Sequence, residues 1–173
     1  MICKNQNIDF HKIRKIMRDD YKRNANIPLA GFTAGPCLLK DTMQLSSFYD
    51  HKFSLGHTAM LINEGLPKFL IKKLNEKYNL KKKTVGVLGL SFKSETDDLR
   101  DSLSIKLLKQ LKSRKIKTFQ SDEYYKHKNN IDKKLLVKKS DIIIVSTPHK
   151  AYKNLKIGKN KILVDIWGFI EKK

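Results

Sequence analysis

TVGVLGL (84–90) is an apolar, valine-rich run with the lysine triplet Lys81, Lys82 and Lys83 before it and a polar loop, 91–100, behind it. A short apolar run bounded in this way reads as a strand buried on both faces. Downstream, Leu103, Leu107, Leu108 and Leu111 share one face of a helix, and a strand at 116–120 follows. A weaker helix near 131–138, the strand DIIIVS (141–146) and the strand KILVDIWG (161–168) complete the series. Strands that alternate with helices need crossover connections, so this half reads as an α/β domain, a parallel sheet with helices on both faces.

Upstream the period changes from strand to helix. Leu55, Ala59, Ile62, Leu66, Leu70 and Leu74 recur at spacings of three and four, which predicts one long amphipathic helix over 55–78, kinked at Pro67. Asp9 is placed to cap a helix carrying Phe10, Ile13, Ile16 and Met17, and residues 1–7 read as the last turn of a helix. Pro28, Gly31 and Gly35 make 24–35 a loop, and Pro36 opens a short helix with Cys37 at its N-terminus. Two units are therefore expected, a helical segment over 1–80 and a sheet domain over 81–173.

A formal charge of +20 invites an anionic partner. Only five of the 37 basic residues are arginines, the lysines occur in every segment, and no zinc-finger spacing, aromatic RNA-binding strand or helix-turn-helix is present. Specific nucleic-acid binding is not expected, and the basic residues read as a lysine-biased surface whose field draws in small anions. Two cysteines are too few for a disulfide framework and lack the spacing of a metal site. No apolar run reaches the roughly 20 residues of a membrane span, and the N-terminus lacks the pattern of an export signal, so a cytoplasmic location with no membrane partner is expected.

The turn GVLGLSFK (86–93) falls short of a dinucleotide fingerprint, since only Gly86 and Gly89 are present where G-x-G-x-x-G is needed. Lys93 and Arg100 in the following loop either serve an anion or are solvated charges. Cys37, read alone, is either a buried structural residue or a nucleophile activated by the helix start. His149 and His57 read as structural or solvated.

Several stretches together resemble one family, the UDP-glucose/GDP-mannose dehydrogenases. GPCLLKD (35–41) is similar to the family's catalytic-cysteine motif, HTAMLINEGLP (57–67) to its central helix, and GVLGLSFKSETDDLRDS (86–102) to the opening of its UDP-binding domain. SDEYY at Asp122, SDIIIVSTPH with His149, VDIWG, and DDYKR with Arg23 fit in the same order. The sequence departs from the family pattern at Ala34-Gly35, Leu39 and Glu123.

The resemblance implies a helical central-domain segment followed by a Rossmann-like UDP-binding domain, and oxidation of a UDP-sugar C6 alcohol to the uronate with two NAD and a cysteine thioester. It makes Cys37 the nucleophile, Asp41 the residue that orients or deprotonates the hydrolytic water, and Lys40 a stabiliser of charge or a cofactor contact. Arg23, Gly31, Phe32, Thr33, Ala34, Phe92 and Lys93 would meet the substrate, and Arg100, with Cys37 and Lys40, the NAD. Asp41 is alternatively a simple helix-start charge. The resemblance covers the back half of the family's domain order, without its NAD-binding domain. The expectation is therefore a polypeptide inactive alone, acting as a homodimer or with a complementing N-terminal half, or else a non-catalytic nucleotide-sugar-binding or assembly module.

Overall fold

The computed structural model describes residues 1–50 and 52–170. Four parallel strands, β1 (Val85–Leu88), β2 (Thr118–Ser121), β3 (Ile142–Val145) and β4 (Ile162–Asp165), lie in the order β2-β1-β3-β4. The register pairs Val85 with both Thr118 and Ile142, and Ile142 with Ile162, so all four strands start at one edge of the sheet. β1 and β3 are completely buried along their length, which explains their unbroken apolar character.

Alternation divides the strand residues between two cores. Val85, Val87, Ile142 and Ile144 meet Leu103, Leu107 and Leu111 of α6 (Leu103–Ser113) on one side; Leu88, Ile143 and Val145 meet Leu136 and Val137 of α7 (Lys133–Lys139) on the other. The α/β arrangement with helices on both faces is thus present. Ser102 and Asp132 cap α6 and α7 by accepting two backbone N–H groups each. The expected strand at 116–120 sits two residues later at its start and one later at its end, because Ile116 turns inward as the end of the α6–β2 connection, its N–H bonded to the Leu111 carbonyl.

The first half contains α1 (Ile2–Asn5), α2 (Phe10–Arg18), α3 (Pro36–Phe48), α4 (Ser54–Glu64) and α5 (Leu66–Lys77). Asp9 caps α2 as expected, accepting from His11 and Lys12. The helix over 55–78 is interrupted as Pro67 leads one to expect: it divides at Gly65 into α4 and α5, with Gly65 itself in helical backbone (φ −75°, ψ −13°) and its N–H on Leu61 O, while Pro67 has no N–H to carry the ladder on. The break separates two environments. Pro67, Ile71 and Leu74 of α5 are buried, the latter two in the same core as α6 and the sheet, whereas Leu55, Leu61 and Ile62 of α4 are exposed. The helix opened by Pro36 is also longer than expected, 13 residues. Glu64, ending α4, pairs with Lys106 on α6 at 2.6 Å.

Candidate functional site at the carboxyl ends of the strands

The chain leaves β1 toward β2 on one side and returns to β3 on the other, so the sheet reverses its winding between β1 and β3. A ligand crevice is expected outside the carboxyl ends there. Gly89 makes the first turn possible. Its φ is +83°, and an added Cβ would lie 2.5–2.8 Å from Thr147 atoms, backbone included, so the ends of β1 and β3 approach too closely for any side chain.

The loop after Gly89 is held by a buried polar clasp. Asp122, at the end of β2, accepts from Leu90 N (2.6 Å) and Ser91 N (3.4 Å) through Oδ2, and from Tyr124 N (2.9 Å) and Tyr125 N (2.8 Å) through Oδ1. His149, fully buried, accepts the Glu95 N–H at Nδ1 (3.0 Å), which leaves the ring proton on Nε2, facing Asp122 Oδ2 and Ser91 Oγ at 3.3 Å each. Burial raises the Asp122 pKa, but the hydrogen bonds from His149 and the backbone amides outweigh it and hold the carboxyl at about 2. Glu95, in left-handed backbone at φ 59°, accepts from Tyr124 Oη (2.7 Å) and Lys150 N (2.9 Å). Ser102 Oγ and Thr147 Oγ1 donate to the carbonyls of Leu90 and Ser91. Thus His149 is structural.

Against this fixed loop lies the segment before α3. The Gly31 backbone rests on the Trp167 indole, where an added Cβ would come within 2.1 Å of the ring, and Trp167 Nε1 donates to Ser146 O at 2.9 Å. Gly35, at φ +138°, faces the Phe92 ring. Phe32 is buried in the core, so only its backbone is available to a ligand. Asn63 of α4 donates to Thr33 O (2.6 Å), and Arg14 of α2 donates to Ile27 O (2.8 Å) and Pro28 O (3.2 Å). These two tethers shape the loop, and residue spacing gave no sign of the one from Arg14.

Cys37, the second residue of α3, is exposed, two positions beyond Gly35. Lys40 and Asp41 are exposed on the next turn and pair with each other at 3.3 Å. Lys93 stands over the Phe92 ring at 5.5 Å. Arg100 grips Asp98 with contacts of 2.6–3.1 Å, which raises its pKa, with a smaller contribution from the nearby Cys37. The structure therefore gathers Gly31, Phe32, Thr33, Ala34, Phe92, Lys93, Arg100 and Cys37 at one end of the sheet. Arg23 is exposed on the turn at Lys22–Asn24, and no hydrogen bond or ion pair joins its side chain to the rest among the described residues. A separate cleft of about 550 Å³ opens beyond β2, between Glu123 and Lys133, away from Cys37. Among the described residues no cluster of metal-ligating side chains occurs, and no helix is long and apolar enough to cross a membrane.

The β1 turn does not fit a dinucleotide. A Cβ on Gly86 would meet Leu136 and Ser140, and Gly89 is spent on Thr147, so both glycines serve internal packing and no pyrophosphate cradle is left.

Fold and site together define a Rossmann-like α/β domain with a cysteine-bearing helix start packed across its strand ends. Residues 86–172 match the UDP-binding domain of the UDP-glucose/GDP-mannose dehydrogenase family, and the chain belongs to that family. A UDP-N-acetyl-D-mannosamine dehydrogenase of Pyrococcus horikoshii is 33% identical over 144 residues, 76% of this chain and 34% of that one. A UDP-glucose 6-dehydrogenase of Bacillus subtilis is 32% identical over 60% of this chain and 25% of its own length. In fold, the solved UDP-D-ManNAc dehydrogenase of P. horikoshii superposes with a TM-score of 0.82 at 24% identity, covering 99% of this chain and 43% of that chain. The UDP-glucose dehydrogenase of Pyrobaculum islandicum gives 0.78, also at 24% identity, over 94% and 41%. The chain spans about a third of the length of the first of these relatives.

Proposed function

We propose that this chain is the nucleotide-sugar-binding and thiol-bearing part of an enzyme that oxidises the C6 alcohol of a UDP-sugar to the carboxylate. The observation that carries the proposal is the exposed Cys37 at the start of α3, whose cap residue Gly35 is packed on Phe92 of the clasped loop. The backbone of 28–34, with Phe92 and Lys93, receives the nucleotide-sugar. The Cys37 thiolate adds to C6 at the aldehyde level, and once C6 has been oxidised again the resulting thioester is cleaved by water, which returns the thiol. Asp41, four residues on, orients that water or takes its proton, with Lys40 balancing the charge. The hydride acceptor implied by the family is NAD. Of the described residues, Arg100, with Cys37 and Lys40, is offered to it, and Arg100 is already held by Asp98.

Binding should reflect this division. In calorimetry on the 173-residue chain, UDP and UDP-glucose are expected to bind at least about tenfold more tightly than NAD, a difference of ~1.4 kcal/mol or more, with no turnover. Equal affinities, or turnover without an added polypeptide, would refute the division. A binding module without chemistry would give the same affinities and is distinguished by the Cys37 substitution considered below.

A homodimer is proposed from the exposed apolar side chains of the helical segment. Phe48 at the end of α3 and Leu55 on α4 are 89% and 80% exposed, and Leu61 and Ile62 continue the α4 face. Analytical ultracentrifugation at high micromolar concentration should show self-association that weakens when Leu55 and Ile62 are both replaced by serine; a strictly monomeric chain would count against it.

A further inference from the structure

The two edges of the sheet differ in charge. Directly before the four strands stand KKKT (81–84), RKIK (114–117), KKSD (138–141) and GKNK (158–161), with ten cations and one acid. After them come GLSFKSETDDLRD (89–101), DEYYK (122–126), STPHK (146–150) and DIWG (165–168), with four cations and seven acids. The register aligns the four strand starts, so the ten cations share one edge only about 15 Å wide, at the pole opposite Cys37.

Helix ends do not account for this many positive charges. α5, α6 and α7 all finish at this edge, and their dipoles together supply about one and a half negative charges. The one acid, Asp141, is engaged by the Thr84 N–H at 2.8 Å. None of the ten cations forms a salt bridge among the described residues. Arg114, one of the ten, and Lys112, just before it, are turned to the neutral acceptors Gln110 O and Gln120 Oε1.

We propose that this edge docks the chain on an anionic lipid bilayer surface. The edge is a row of strand starts, with one arginine and no exposed large apolar side chain in its four stretches. It therefore offers neither the stacking platform nor the guanidinium forks of a nucleic-acid groove, and it has nothing to insert into a membrane core. An array of lysine point charges matches a plane of anionic headgroups, each lysine strengthening attachment by roughly fivefold. Docked there, the chain keeps its strand carboxyl ends, with Cys37 and the clasped loop, turned to solvent.

The test is sedimentation of the full chain with phosphatidylcholine vesicles containing or lacking phosphatidylglycerol. Binding should require phosphatidylglycerol and disappear at high salt. The triple variant Lys81→Glu, Lys117→Glu and Lys138→Glu should lose at least about a hundredfold. The triple variant Lys22→Glu, Lys128→Glu and Lys150→Glu, with the same net charge, should stay within about threefold of the parent. None of these six side chains makes a hydrogen bond or ion pair among the described residues, so both variants should keep the parent thermal midpoint. Equal losses in the two triples would reduce the effect to overall charge and overturn the proposal. So would binding to neutral vesicles, or RNA binding that depends on the same edge and survives saturating anionic vesicles.

Discussion

Replacing Cys37 with serine is expected to abolish uronate formation, by at least about a thousandfold, in an enzyme that has this chain and its hydride-acceptor site. The thiol is exposed at the start of α3, two residues beyond the cap Gly35 that packs on Phe92. A serine hydroxyl at the same place is a far weaker nucleophile at neutral pH. Chemistry up to the aldehyde does not need the sulfur and should continue. Product analysis that separates trapped aldehyde from uronate gives the answer: uronate at the parental rate would remove the thioester from the proposal, and loss of the aldehyde as well would give Cys37 a different role. An unchanged affinity for UDP shows that the loss is chemical.

Asp122→Ala should destabilise the chain by about 3 kcal/mol or more, because four backbone N–H groups and the His149 ring proton lose their acceptor inside the protein. Asp122→Asn keeps the volume but turns an NH₂ group toward donors, so it should cost nearly as much. The same carboxylate sets a pH dependence. Its pKa falls from 3.8 to about 2 on folding, so its stabilisation is fully present above pH 4 and is lost as pH falls through about 2. The shift corresponds to about 2 kcal/mol. Urea midpoints measured across that range should fall with pH in the parent and fall less in Asp122→Asn. A change below about 1 kcal/mol for the alanine variant, or the same pH slope in both proteins, would show that the clasp does not hold the loop.

β1 and β3 were legible because each is an apolar run buried along its whole length, a pattern that depends only on neighbours in sequence. The helix starts at Asp9 and Pro36 were equally local, since a capping oxygen or a missing N–H acts within one turn. The interruption near Gly65 was legible through Pro67, but what it separates was not. An apolar period over 55–78 runs unbroken in the sequence, and the break comes at the junction between α5, which docks on the sheet domain, and α4, which leaves its apolar residues exposed.

By itself, then, the sequence determined the parallel α/β architecture, the position of Cys37 at a helix start, and through several ordered motifs the family. The tertiary structure decided which side chains meet. Asp122 and His149 lie 27 residues apart and reach the same loop because parallel strands end at a common edge. His149, in isolation indistinguishable from a solvated histidine, is buried there. The lysines follow the same rule in reverse. They are scattered along the sequence, but every strand of a parallel sheet also begins at one edge, and that geometry collects charges no reading along the chain would place together.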